Sequence, residues 1–474
     1  MRSLGLLTFL ALPSLASAQD LTLTFTQLLP GNTVDYTVTN LNANETVYIL
    51  RAVGTGNGAC PAQIGGECLG ITGPLSVLGT PVADATGTAT LQILLPASVP
   101  VGTNVSFQAA AIRGLGGVDS VVSNAIGATV TGANLCPVYA DPNVLPGGDG
   151  SVGNPFPSIG YALAFRDPAC DEILLKPGTY DENVDYAGAN VAISSTDGPG
   201  STTLMSTVGG NLVSFVSGET SAASLSGVTV QCGNGPWDRG IEVLNSSPTL
   251  DDLVIDGCDS YGVSLSGSSA LLTHSSFTAN DNSGSGAGAL YVNGGSPTIT
   301  KNRFAGESGS SYSVHLYDTA ALFANNHLEN NSNSYVLYVY SDNGSVIANN
   351  TWLSNSSYSV YFAYSSSADF VNNLLYDTIG SYAVYASPSG STPSTFENNN
   401  AFPDTYSSLV GNQTGSNGNI SADPLFDASG VYVGWGSPCI DAGMNASVYG
   451  IGDDFDDNPR PLGLGYDIGA YESW

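Results

Sequence analysis

Between residues 241 and 402 the chain repeats itself about every two dozen residues, and this limits its fold more than any other feature. One column of apolar residues reads Ile241, Val263, Ala289, Val314, Leu337, Val360 and Val384, with steps of 22, 26, 25, 23, 23 and 24. Two places on, a second column reads Val243, Leu265, Tyr291, Leu316, Val339, Phe362 and Ala386. Apolar residues two apart with a polar or aromatic residue between them predict a half-buried strand. Later in each repeat comes a second signature: LTHSSF (272–277), ITKNRF (299–304), FANNHL (323–328), IANNTW (347–352), FVNNLL (370–375) and the looser FENNNAF (396–402).

Such a repeat is too short for a four-stranded propeller blade and lacks the leucine spacing of leucine-rich repeats. Two or three short strands per turn, each turn stacked at about 4.8 Å on the last, predict a parallel β-helix. The Asn pair then has a role. Ile347 and Trp352 are five apart, and both must point inward. A straight strand cannot bury both, so the chain must bend between them. Asn accepts the left-handed conformation that such a bend needs. Asn302, Asn326, Asn350 and Asn373 are therefore expected to stack as an inward ladder, with Asn355 left in a Ser-rich loop. Val228 and Val254 are read as matching positions, which puts Cys232 and Cys258 at one corner of adjacent rungs and predicts a disulfide.

The remaining chain divides by composition. Residues 1–18 read as a signal peptide: a basic start, an apolar run from Leu4 to Leu12 and Ala16-Ser17-Ala18 before Gln19. Residues 19–132 hold short β-branched runs broken by Gly, Pro and Asn, which predict an immunoglobulin-like β-sandwich. Residues 133–153 read as a junction, 154–430 as the β-helix and 431–474 as a C-terminal cap. Cys60 and Cys68 bracket a Gly-rich loop, and Cys136 with Cys170 is a third expected pair; Cys439 is left over as a small buried thiol. Nine Lys+Arg against 40 Asp+Glu give a net charge of −31, which argues against nucleic acid and anionic membranes. No segment is long and apolar enough to insert in a membrane. The expected protein is a monomer, secreted or at the cell surface.

Two segments carry a resemblance. NPFPSIGYALA (154–164) with DEILLKPGTYDENVDYAGANVAISSTDGPGSTTL (171–204) resembles the opening rungs of secreted bacterial right-handed parallel β-helix, or pectin-lyase-like, proteins. SPCIDAG (437–443) with DDFDDNPRPLGLGYDIGAYE (453–472) resembles their terminal segment, with Cys439 in place of a small Ala. The sandwich resembles modules that precede such helices. The resemblance implies the fold. It leaves activity open, because the class holds lyases, hydrolases, epimerases and adhesins.

A lyase of this class needs a base and a charge neutraliser. Aligned rungs put His274 beside Lys301, and Arg303 beside His327, in one small basic patch, but no repeated carboxylate column faces it. Asp453, Asp454, Asp456 and Asp457 form a dense acidic loop that could hold Ca²⁺, the one candidate ion; Arg460 or solvent could balance it equally well. No cofactor motif is present. The outward column His315, Tyr338, Tyr361 and Tyr385, flanked by Tyr312, Tyr335, Tyr358 and Tyr382, could bind sugar rings or simply stabilise the rungs. These features together predict a non-catalytic exported protein that binds a glycan or another surface component. A polysaccharide lyase or glycoside hydrolase is the alternative.

Overall fold

The structure is a computed structural model. It describes residues 21–473 apart from 30–32, 97–98, 100–101, 131–134, 147, 234–238, 281–287, 310, 356–357, 365, 378–381, 388–391 and 404–412. The expected signal peptide lies outside the described residues. Two compact units, Met1–Leu135 and Cys136–Trp474, divide the chain.

The first unit is built from antiparallel sheets. Thr22–Phe25, Thr33–Thr39 and Ala89–Leu94 form one. Ser76–Gly79, Val47–Ala52, Asn104–Ala111 and Ile126–Thr129 form a second, with Val121–Val122 added to Asn104–Ala111, and Gly54–Thr55 pairs with Ile71–Thr72 in a short third. Strict alternation decides the packing: TVDYTVT buries Val34, Tyr36 and Val38 and turns its polar residues out. Those residues meet Val47, Ile49, Phe107 and Ala109 of the second sheet in one core, so the unit is a β-sandwich. Cys60 and Cys68 are bonded.

The second unit is a three-sheet parallel β-helix. Among the described residues the first sheet has 11 strands, from Val138–Ala140 to Thr395–Glu397. The second has 10, from Gly178–Asp181 to Asn400–Phe402, and the third has nine, from Val184–Asp185 to Tyr382–Ala386. The stretch read as a junction already contributes Val138–Ala140, which pairs with Glu172–Leu175. Cys136 is bonded to Cys170, and Ser158 caps the short helix Ile159–Phe165.

One rung shows the plan: Leu322–Ala324, His327–Glu329 and Tyr335–Tyr340. Each strand sits in register on its counterpart, Phe323 on Ile347, Leu328 on Trp352 and Leu337 on Val360. The interior is therefore a set of columns of like residues. Phe277 and Phe304, for example, stack at 4.6 Å. Burying one such side chain contributes about 1.5–3 kcal/mol, and every rung repeats the gain.

Two register assignments need correction. Val263 pairs with Leu290 and Leu265 with Val292, so Tyr291 points outward between them, opposite Ser264 and His315. Ala289 is also fully buried, and the run ALYV offers two phases of alternation that sequence cannot tell apart. In the Cys rungs Thr229, not Val228, pairs with Val254. The strands are thus offset by one relative to the cysteines. Gly257, at φ +70°, takes up the extra residue, and the Cys232–Cys258 bond still forms.

At the bend between the first and second sheets, the first residue of each pair is left-handed: φ is 58° at Lys301, 52° at Asn325, 53° at Asn349 and 56° at Asn372. The second is fully buried. The Oδ1 of Asn326 accepts the Asn302 amide at 2.9 Å and its Nδ2 at 3.1 Å, and the Nδ2 of Asn326 donates to the Ile299 carbonyl at 3.0 Å. Asn350, Asn373, Asn399 and Asn419 repeat the pattern. A second ladder runs at the next corner through Asn280, Glu307, Asn331 and Asn355. Asn355 is not a free loop residue. Its Oδ1 accepts the Asn331 amide at 3.0 Å, and its Nδ2 reaches the Leu328 carbonyl at 2.8 Å. Sequence hid this ladder because a glutamate interrupts it.

Removing either ladder residue leaves a buried amide unpaired, at a cost of about 1–3 kcal/mol. Asn350→Ala and Asn355→Ala should therefore lower the denaturation midpoint by similar amounts in a urea titration. Cys232→Ser with Cys258→Ser should cost about 2–4 kcal/mol in the same assay.

Candidate functional site

The C-terminal segment decides what surface is available. It runs back along the outside of the bend, and the first Asn of each pair holds it. Asn398 Nδ2 donates to the Ala442 carbonyl at 2.9 Å. Asn372 donates to the Met444 carbonyl and accepts its amide, both at 2.8 Å. Asn349 reaches the Asp467 carbonyl at 3.0 Å, and Asn325 the Asp453 carbonyl at 2.9 Å. Ala324, Ala348 and Val371, facing outward, pack against Ala446, Ile451 and Tyr466. Gly469 comes so close that a Cβ there would sit 3.0 Å from Thr351 Oγ1. One buried ion pair, Arg460 with Glu472, locks the segment on itself. Arg460 also donates to Asn325 Oδ1 at 3.1 Å. Burial pushes the Asp467 carboxyl up to about 6.

The four basic candidates lie beside this strap. Lys301 Nζ pairs with Asp453 at 2.8 Å and with Asp457. Burial disfavours its charge, but the hydrogen bonds to the two carboxylates outweigh this and raise its pKa. His274 lies 3.0 Å from Asp251 and 3.4 Å from Asp457. Arg303 pairs with Glu329. His327 is buried, with Nδ1 2.7 Å from the Tyr471 hydroxyl. Its Nε2 makes no hydrogen bond, and Glu329 Oε2 at 3.8 Å is beyond reach of one. Burial pulls the ring's pKa down to about 4, so it is neutral at pH 7. A base needs an unshared lone pair that substrate can reach. Lys301 is protonated and paired, Arg303 is paired with Glu329, His327 is enclosed and His274 lies between two carboxylates.

The structure brings the acidic loop and the basic patch together, which sequence kept apart. Lys301 Nζ stands between Asp453 and Asp457, where a cation would be expected. Asp454 is fully buried and accepts the Asp456 and Asn458 amides at 2.9 and 2.8 Å. Asp456 accepts the Tyr432 hydroxyl at 2.8 Å. Among the described residues no group of three His, Cys, Asp or Glu is disposed to hold a metal ion.

The third sheet presents a different surface. Tyr338, Tyr361 and Tyr385 stack in register at 5.3 and 4.9 Å, with planes 22° and 25° apart. His315 meets Tyr338 edge-on at 5.1 Å. Tyr312, Tyr335, Tyr358 and Tyr382 stack beside them at 5.8, 5.4 and 6.0 Å. Neighbouring columns interlock, with Tyr312–Tyr338 at 4.5 Å and Tyr335–Tyr361 at 4.7 Å. Two features escaped the sequence reading: Tyr291 extends the His315 column, with Tyr261 stacked on it from three residues before Ser264, and Tyr317 and Tyr340 begin a third column, against which Tyr364 packs from one residue beyond the in-register Ala363. The regular spacing of YxxYxY within one strand was the available signal. Most of these rings are half-buried. His315 Nε2 has no hydrogen bond, and burial pulls this ring also down to about 4.

Arg460→Met should destabilise the fold by about 3–5 kcal/mol, because it strands a buried carboxylate. Lys301→Met should cost about 1 kcal/mol or less, since both its partners are largely exposed. Chemical denaturation separates the two. His327 binds a proton below about 6.5 when unfolded but only near 4 when folded. Its contribution is therefore complete above pH 6.5 and is lost as pH falls toward 4. His327→Gln should flatten the fall of melting temperature across that window, and Lys301→Met should not.

Residues 214–375 and 273–437 match the family described as "Right handed beta helix region". The sequence matches no curated protein. Among solved structures it is similar to pectin methylesterase from Erwinia chrysanthemi at 9% identity, over 63% of this chain and 97% of that one, with a TM-score of 0.27. A thermostable α-1,3-glucanase catalytic unit from Streptomyces thermodiastaticus is 11% identical over 88% of this chain and 91% of its own, at 0.28. The Family 28 exopolygalacturonase of Yersinia enterocolitica is 9% identical over 82% and 93%, at 0.27. What the family match and the sheet topology give together is the fold: the second unit is a right-handed parallel β-helix.

Proposed function

We propose that this chain is an exported, non-catalytic β-helix protein that binds extracellular carbohydrate through the tyrosine face of its third sheet. The observation that carries the reading is the interlocked set of half-buried Tyr rings around Tyr338, Tyr361 and Tyr385. Tyr offers an apolar body with a polar tip at low entropic cost, which suits recognition of hydroxyl-rich ligands. The engagement of His274, Lys301, Arg303 and His327 with carboxylates or Tyr471 supports a structural role for them. Three disulfides support export to an oxidising compartment. No described helix is long and apolar enough to cross a membrane. In this reading the sandwich is an immunoglobulin-like spacer and the protein acts as a monomer.

A glycan panel read for both retention and new unsaturated or reducing ends tests this. Tyr361→Ala should weaken retention by about 0.5–1.5 kcal/mol, the worth of one polar contact. Lys301→Ala with Arg303→Ala should leave retention unchanged. Cleavage by wild type that the double variant loses would establish the lyase or hydrolase alternative instead.

A further inference from the structure

The geometry of the tyrosine columns points to the kind of glycan. Rings of one column stack face to face on the rings of adjacent rungs, within about 25° of parallel at Tyr338, Tyr361 and Tyr385. The ring faces are thus occupied by neighbouring rings. What stacking leaves to a ligand is the edge of each ring, and the Tyr361 hydroxyl at one such edge meets Ser387. A sugar cannot lie flat on such rings except at a column's end, so each ring offers only a small contact.

Three further observations bear on the ligand. The columns repeat at the rung spacing and lie side by side, giving a lattice of phenols over the strands from Tyr312–Tyr317 to Tyr382–Ala386. Interlocking contacts such as Tyr358–Tyr385 at 5.3 Å fix the rings before any ligand arrives. The outward positions of the strands Tyr312–Tyr317, Tyr335–Tyr340, Tyr358–Ala363 and Tyr382–Ala386 hold no carboxylate and no Lys or Arg, although the chain's net charge is −31. Asp318, in the turn after Tyr317, marks the rim. Many small, rigid, uncharged contacts in a periodic array suit a ligand that is itself extended, uncharged and periodic. A short soluble oligosaccharide would engage only a few of them.

We propose, resting on the carbohydrate reading above, that the tyrosine face adsorbs to the surface of an insoluble, uncharged, extended-chain polysaccharide of the β-1,4-linked type. The contact is made by phenol hydroxyls and ring edges across several rungs at once. Equatorial linkages make such chains flat ribbons, whereas coiled α-linked chains would not follow a flat lattice.

The test is a depletion assay with the full chain on microcrystalline cellulose and on insoluble chitin. It is run beside calorimetry with the matching soluble hexasaccharides and with polygalacturonate. Retention on one solid should exceed affinity for its hexamer by about 10²-fold or more, as summed weak contacts require. Tyr338→Phe/Tyr361→Phe/Tyr385→Phe keeps the stacked rings and removes three hydroxyls, so it should fold, with its stability lowered only by the lost Tyr361–Ser387 hydrogen bond. Its retention should fall by about tenfold or more, roughly 1.4 kcal/mol. The corresponding triple Ala variant should lose retention; if it does not fold, the Phe variant decides. Equal affinity for hexamer and solid, a preference for polygalacturonate or full retention by the Phe variant would overturn the inference while leaving the carbohydrate reading intact. Binding to no glycan at all would overturn both.

Discussion

Everything in the helical unit depends on how a buried backbone turns a corner. Each rung must bend between two inward-facing residues, and the amide at that bend is cut off from water. Left unpaired, it would cost about 1–3 kcal/mol per rung. Asn solves the problem twice over. Its first copy accepts the left-handed conformation, as at Asn325 and Asn349. Its second copy, as at Asn326, carries an acceptor for an amide and a donor for a carbonyl of the preceding rung, and its Nδ2 also donates to Asn350 of the next. The ladder ties rungs together on the side where strand hydrogen bonds have stopped. A second ladder through Asn331 and Asn355 does the same at the next corner, so both corners are held by side chains rather than by loop length.

The outward copy has a separate consequence. Because Asn325, Asn349, Asn372 and Asn398 all point away from the core at one corner, they form a row of amides. A chain laid along that row can hydrogen-bond to it at every step, and the C-terminal segment does so. Where the row passes to Lys301 and His274, the strap answers with Asp453 and Asp457. The basic patch and the acidic loop are thus one interface, in which charge pairs replace the amide pairs. The exposed pairs there contribute little beyond register. The enclosed Arg460–Glu472 pair governs the strap's stability, since losing either member would leave a charge with no water to solvate it.

These contrasts show how much of the structure the sequence made legible. Rung period and the inward Asn ladder follow from the repeat spacing, whereas the Cys232–Cys258 bond forms although the strand register that pointed to it was off by one. The register slipped by one at Ala289 and at Val228 because alternation has two phases wherever three or four apolar residues run together. The second ladder was missed because Glu307 breaks the Asn pattern, although its two carboxylate oxygens serve Asn280 as an amide would. The union of Lys301 with Asp453 was invisible for a different reason. They are 152 residues apart, and only the path of the strap brings them together.

The tyrosine face raises the question of whether stacking alone explains it. The same sheet, three rungs earlier, puts Ser214, Glu242 and Ser264 at the column that later reads Tyr291, His315, Tyr338, Tyr361 and Tyr385. Those earlier strands pair in register with small or charged residues outward, so a rung of this sheet does not need an aromatic ring there. The rings are concentrated where three columns can interlock and where charge is absent from the strands. Stacking gains about 0.5–1.5 kcal/mol per pair and holds the rings in place. It also leaves the edges of the stacked rings as the accessible part, a position that a face selected only for stability would not have to fill with hydroxyls. A ladder of Phe would stack as well but would present an apolar edge to water. Tyr keeps the same packing and adds a hydroxyl to each ring. That combination is rigid along the helix axis, uncharged and hydroxylated, and it ties the rung spacing that builds the fold to the spacing of the surface it offers.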